Sequence, residues 1–231
     1  MYLTRGEYAR VCVAASNCLA VARGGEDALA GEGEFWLAQC AFARGDNETA
    51  AAIAGGAAAA TNAMTPYLAC TYGRALYSAG RTNDARDVLT PLCAYDAPKD
   101  VRAVALYLSG DAAAADGRDE EATRYFLSVI AGREAARRGR LVRDADGYPF
   151  ADAYYRLGRA MYEQEQVSSA AYFYATCARE FPRSRYAEIA TLGGGLCARA
   201  AGDVTAATQT FARLQSATSA DIRMAALRAW A

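Results

Sequence analysis

The sequence predicts an all-α fold, a solenoid of helical hairpins repeated along a chain of 231 residues. Three observations carry that prediction. The stretch YYRLGRAMYEQEQVSSAAYFYATCAREFPRS, residues 154–184, spaces its larger apolar residues three or four apart on either side of Glu165-Gln166-Val167-Ser168. That is the period of two amphipathic helices joined by a tight turn. The same spacing returns in four more copies, with turns at Gly45, Gly80, Gly117 and Gly202, and Glu165 standing in the glycine's place. Finally, fixed columns surround every turn. Seven residues before it lies a small residue (Ala38, Gly73, Gly110, Gly158, Gly195), and five after it an alanine (Ala50, Ala85, Ala122, Ala170, Ala207). Nine after come Ala54, Leu89, Phe126, Tyr174 and Phe211, and twelve after come Ala57, Leu92, Val129, Cys177 and Leu214.

In chain order, residues 1–30 read as a partial repeat with Gly6 as its turn and 1–5 as the stub of a first helix. Repeats follow at about 31–65, 66–102, 103–135, 151–187 and 188–221, and 222–231 reads as a terminal helix, a solvating cap or the start of a further repeat. The whole chain is then one solenoid domain. Turns at 45, 80, 117, 165 and 202 lie 35, 37, 48 and 37 residues apart, and a single hairpin repeat takes ~34 residues. The long interval holds an insertion, AGREAARRGRLVRDADGYPFAD at about 131–152. Its first half is expected to continue the preceding helix and to place Arg133, Arg137 and Arg140 on one face. Two readings of that stripe stay open, a solvated helix extension or a contact for an anionic partner. Gly158 sits mid-helix, where it permits close helix contact at ~1 kcal/mol of propensity. Pro182 ends the helix before it.

The LG before the turn, AAYFYATCAREFP after it and the following GDVTAATQTFARL resemble the tetratricopeptide repeat family. The resemblance spans roughly the whole chain. It is strongest in 151–214, which look like repeats of bacterial envelope-associated members, and weakest at 31–62, where AAAIAGGAAAATNA carries small residues in place of large ones. It implies a right-handed superhelix whose concave face, lined by the first helix of each hairpin, takes peptide segments of partner proteins. By helical phase, the partner-binding candidates on that face are Phe35, Phe42, Tyr67, Arg74, Tyr77, Tyr107, Tyr155, Arg159 and Tyr162. Gln39, Asp111, Glu163, Leu192 and Arg199 share the phase. Aromatics interleaved with arginine have the composition of an interface hot spot; packing between helices is the competing explanation for the same rings. One subgroup of the family clamps a terminal carboxylate with lysines and asparagines, and this chain has no lysine in its first helices' groove positions.

Composition narrows the function classes. A net charge of -1 gives no overall field for nucleic acid or anionic lipid. Arginine supplies all but one of the 25 cations, Lys99 being the exception, so cationic contacts are planar and bidentate. No apolar run approaches the ~20 residues that span a bilayer, so no membrane insertion is expected. With no histidine and seven scattered cysteines lacking any Cys-x-x-Cys pair, neither a zinc site nor a cysteine–imidazole nucleophile is in view, and no cofactor is called for. The cysteines read as small packing residues. Asp144-Ala145-Asp146-Gly147 lacks the remaining ligands of a calcium loop. Leu192-Gly193-Gly194-Gly195-Leu196 lacks the Gly-Lys-Ser/Thr of a phosphate loop and reads as a close helix approach.

The expected function is therefore a non-enzymatic scaffold that binds a protein or peptide segment in its groove. The alternative is a structural or oligomerisation module docking through open terminal repeats. For compartment, unpaired cysteines and the leaderless start MYLTRGEYAR point to the cytoplasm, whereas the family likeness points to the bacterial periplasm or envelope if a targeting segment once lay upstream.

Overall fold

A computed structural model describes residues 5–22, 27–59, 62–136 and 149–230. Its helices run α1 (Arg5–Ala22), α2 (Asp27–Ala43), α3 (Asn47–Ala57), α4 (Thr65–Ser78), α5 (Thr82–Leu89), α6 (Lys99–Ala115), α7 (Asp119–Ala131) and the short α8 (Arg133–Ala136). After the insertion come α9 (Phe150–Glu163), α10 (Val167–Glu180), α11 (Ala187–Ala200), α12 (Val204–Arg213) and α13 (Ala220–Trp230). Turns of 3₁₀ helix at Thr90–Cys93 and Leu214–Ser216 extend α5 and α12. Hairpins α2/α3, α4/α5, α6/α7, α9/α10 and α11/α12 follow one another, and each helix packs on its chain neighbours and the adjoining hairpin. That nearest-neighbour pattern defines a solenoid.

The turns explain why the hairpins repeat. At all five, the turn residue has positive φ, 78° at Gly45, 80° at Gly80, 74° at Gly117, 82° at Gly202 and 60° at Glu165. The N–H of the turn residue donates to the carbonyl three back, and the next N–H to the carbonyl five back, as in Gly45 to Phe42 (3.0 Å) and Asp46 to Ala41 (3.0 Å). This Schellman motif satisfies helix-end carbonyls and needs a left-handed residue. Glycine adopts that conformation without steric cost, while Glu165 carries about 1 kcal/mol of strain. The residue that closes the motif also starts the next helix: Asp46 and Asp203 accept from the N–H groups of Thr49 (3.2 Å) and Ala206 (2.9 Å).

The columns found in the sequence are the two sides of each hairpin's core. A methyl group on Gly73 would lie 2.6 Å from Leu89, on Gly110 2.9 Å from Phe126, on Gly158 2.7 Å from Tyr174 and on Gly195 2.6 Å from Phe211. The small residue before the turn thus receives the large one nine after it. Tyr174 is clasped twice, since a methyl on Gly193 would also fall 2.6 Å from its ring; this and the Gly195 contact account for two of the three glycines in LGGGL. The alanine column is fully buried.

Three expectations are corrected. Gly6 is no turn: it lies in the first turn of α1, which runs unbroken to Ala22, so residues 5–22 form one helix where a hairpin was expected. A glycine near a helix start needs no left-handed backbone, so spacing alone misled. The insertion does not simply prolong α7, because the helix closes at Gly132 and restarts as α8. The expected Arg137 and Arg140, with the Asp144–Pro149 turn up to residue 148, fall outside the described residues. The hairpins span 27–57, 65–93, 99–131, 150–180 and 187–216; the expected repeats start one to four residues later and end four to nine residues later.

Cys40, Cys70, Cys177 and Cys197 are buried. The Cys177 thiol donates to the Ala151 carbonyl at 3.2 Å, and burial pushes the thiols of Cys70 and Cys177 up to about 12. Cys40 reaches about 12 through burial and its hydrogen bond with Cys12. Protonated thiols in apolar surroundings pack and do not attack.

Candidate functional site: the face lined by first helices

The first helices of the hairpins lie side by side, α2 on α4, α4 on α6, α9 on α11 and α11 on α13. Between α6 and α9 the order is different. There the backbones of α6 and α9 hardly meet, although α9 packs on α7 as the other first helices pack on the second helix before them. Side chains bridge every junction of this face.

At the α2/α4 junction the Arg74 guanidinium sits 4.6 Å from the centroid of the Phe42 ring, a cation–π contact. Gln39 Nε2 donates to Thr71 Oγ1 at 2.8 Å. Tyr67 meets Phe35 edge to face at 6.0 Å. Across α4/α6, the Tyr77 hydroxyl donates to Asp111 Oδ2 at 2.6 Å; burial and that hydrogen bond both raise the Tyr77 pKa.

The α6/α9 gap is spanned by charge. Arg156 reaches Asp111 Oδ1 at 2.6 Å with one Nη and Asp152 Oδ1 at 3.1 Å with Nε, while the Tyr107 hydroxyl donates to Asp152 Oδ2. Asp152 is 1% exposed, so these partners take the place of water around its carboxyl group. Burial alone would lower the Arg156 pKa, but Asp152, Tyr107 and Asp111 raise it, keeping the guanidinium charged. Beside this network lies a cavity of about 260 Å³ between α6, α7 and α9. Further along, Tyr155 stacks on Tyr186 with centroids 5.6 Å apart and planes at 20°. Burial and then the Asp152 charge push the Tyr186 hydroxyl up to about 12. Arg159 is 62% exposed and holds Glu163 at 2.8 Å. Arg199 donates to the Ala229 carbonyl at 2.8 Å, near the end of α13.

The sequence-derived candidates divide by depth. Phe42, Tyr67, Arg74, Tyr77, Tyr155 and Tyr162 are half-buried and Arg159 is exposed, all on first helices. Phe35 (1% exposed) and Tyr107 (4%) are corrected to core residues. Both lie ten residues before their turns, the register of the buried Cys70 and Leu192 and of the half-buried Tyr155; the Phe35 ring packs on Tyr67, and Tyr107 on Phe126 and the Asp152 carboxylate, contacts that helical phase cannot reveal. Arg133 is also corrected as a displayed cation. Its side chain is 13% exposed, paired with Glu180 at 3.4 Å and set 4.7 Å from the Phe181 ring.

Sequence reasoning passed over Asp152, Arg156 and Tyr186. Asp152 occupies the register of Tyr67, thirteen before the turn, and forms an acid–base pair four apart with Arg156. That pair was the available signal. Tyr186 precedes α11 and had none.

Residues 152–184 match the family model for the tetratricopeptide repeat. No curated protein matches the chain by sequence. Among solved structures, PilW, a widely conserved type IV pilus biogenesis factor, matches with a TM-score of 0.67 at 16% identity over 95% of this chain and 90% of its own. BtubC from P. vanneervenii gives 0.66 at 16% identity over 94% and 90%. A Podosopora anserina protein described as a kinesin light chain with nearly identical TPR-like repeats gives 0.56 at 14% identity over 85% and 94%. At these identities the likeness is one of fold.

Proposed function

We propose that this tetratricopeptide-repeat solenoid is a non-enzymatic scaffold that receives a protein or peptide segment along the face of its first helices. The fold itself is that of protein-interaction scaffolds. What carries the finer reading is the row of half-buried rings on this face, Phe42, Tyr77, Tyr155 and Tyr162, set among Arg74 and Arg159. Such rings offer apolar area at low entropic cost, and the arginines add directional hydrogen bonds. Among the described residues Arg159 makes one ion pair, an exposed one with Glu163, whose exchange for a partner's group costs little.

The test is capture of partners from the native source by the intact chain and by Tyr162→Ala and Arg159→Ala variants. Loss of capture with unchanged helicity and melting supports the assignment, and undiminished capture by both variants overturns it.

One observation favours a second reading. Met224, Leu227 and Trp230 are exposed at three-residue steps on α13, a face suited to docking on another copy or domain. Light scattering over a wide concentration range tests self-association, and a mass that stays monomeric contradicts it.

A further inference from the structure

We infer that the cavity between α6 and α9 receives a basic side chain, the guanidinium or ammonium group of an arginine or lysine on the bound segment. The inference rests on the groove reading and adds the sign of the partner's charge. It begins with the gap. Other neighbouring first helices lie against each other, but α9, which follows the insertion, hardly meets α6, and about 260 Å³ stays open between α6, α7 and α9.

The charges around that space are unequal. Two cations face it, Arg156 and Arg159, against three carboxylates, Asp111, Asp119 and Glu163, with Asp152 a fourth behind Arg156. Arg156 is held by two of these acids, at 2.6 and 3.1 Å. Arg159 is committed to Glu163 through an exposed pair, so Glu163 can be shared at little cost. Asp119 has no ion pair among the described residues. The spare capacity is therefore acidic. An entering carboxylate would find the deep guanidinium already occupied and face uncompensated like charges, whereas an entering cation completes the tally.

The Phe126 ring and the methyls of Ala114, Ala122 and Ala160 line the same space, giving the methylene stem of arginine or lysine apolar contact.

The experiment titrates the full chain with N-acetyl-arginine amide and, separately, N-acetyl-glutamate amide at constant ionic strength, following methyl resonances of Thr123, Ala122 and Ala160 by NMR. The arginine probe is expected to shift these methyls saturably, and the exposed double substitution Asp119→Asn, Glu163→Gln to weaken it about tenfold. Saturable shifts from the glutamate probe, no localised response to arginine, or unchanged affinity in the double variant would overturn the inference. The two readings fail separately. Loss of the arginine response with capture still dependent on Tyr162 and Arg159 removes the charge assignment alone, and an intact arginine response without such capture removes the groove reading alone.

Discussion

The first hairpin, α2/α3, and the two that follow the insertion, α9/α10 and α11/α12, share one turn but differ in what holds them. Their Schellman motifs are the same. In the first, the interlocking pair is Ala38 with Ala54, both fully buried and both small. In the later hairpins glycine receives an aromatic ring, Gly158 with Tyr174 and Gly195 with Phe211. Lateral bonds differ too. A neutral Gln39–Thr71 hydrogen bond and an arginine–ring contact join α2 to α4, whereas a buried carboxylate and a shared guanidinium join α6 to α9. The turn chemistry is thus common to these hairpins, and the size of the interlocking pair is what differs. The family model matches at 152–184, where both are in full form.

The largest way to break this contrast is Tyr174→Ala, which empties the space between Gly158 and Gly193. It should cost about 4 kcal/mol in urea unfolding, while Ala54→Gly at the same register of the first hairpin should cost about 1. Equal losses would show that the rings do not distinguish the hairpins. Next comes Asp152→Ala, expected to cost about 3 kcal/mol by leaving Arg156 and Tyr107 without their buried acceptor. A change below 1 kcal/mol would mean that the bridge across the gap does not support the later repeats.

Alkaline titration sharpens the comparison around α10. The Cys177 thiol is raised from 9.0 to about 12 by burial. Below pH 9.0 both folded and unfolded states keep it protonated, and its contribution is whole. As pH rises from 9.0 towards about 12, only the unfolded thiol ionises, so stability falls by up to about 1.4 kcal/mol per pH unit from this group. Cys177→Ala should flatten that slope in denaturation curves collected across the range, and an unaltered slope would contradict the assignment. The smallest effect is a gain. Glu165→Gly should stabilise α9/α10 by about 1 kcal/mol by relieving its left-handed backbone, and Gly202→Ala should cost α11/α12 a similar amount; thermal melts of both variants check the opposite signs.

The same contrast shows what the sequence could convey. Turn positions were legible because a left-handed residue leaves a glycine, and the spacing found Glu165 even where the glycine is missing. The small and large columns were legible because each is one half of a repeated contact. Depth was not. Helical phase put Phe35 and Tyr107 on the correct helices yet could not show that Tyr67 packs over the one, and Phe126 and the Asp152 carboxylate over the other. The Asp152–Arg156 bridge left only its four-residue acid–base spacing as a signal, because Asp152 lies at the edge of the insertion, where the repeat pattern lapses. The same lapse separates α6 from α9 and opens the cavity, so the least regular part of the sequence gives the face its most distinctive chemistry.

The central claim is that the first-helix face is the working surface. The most direct measurement places a photo-crosslinking amino acid at Tyr162 and, in a second variant, at the exposed Val204 on the second helix α12, with irradiation in the native cells and mass spectrometry of the adducts. The account predicts a defined protein adduct from position 162 and none from position 204. Adducts from position 204 with none from 162 would contradict it.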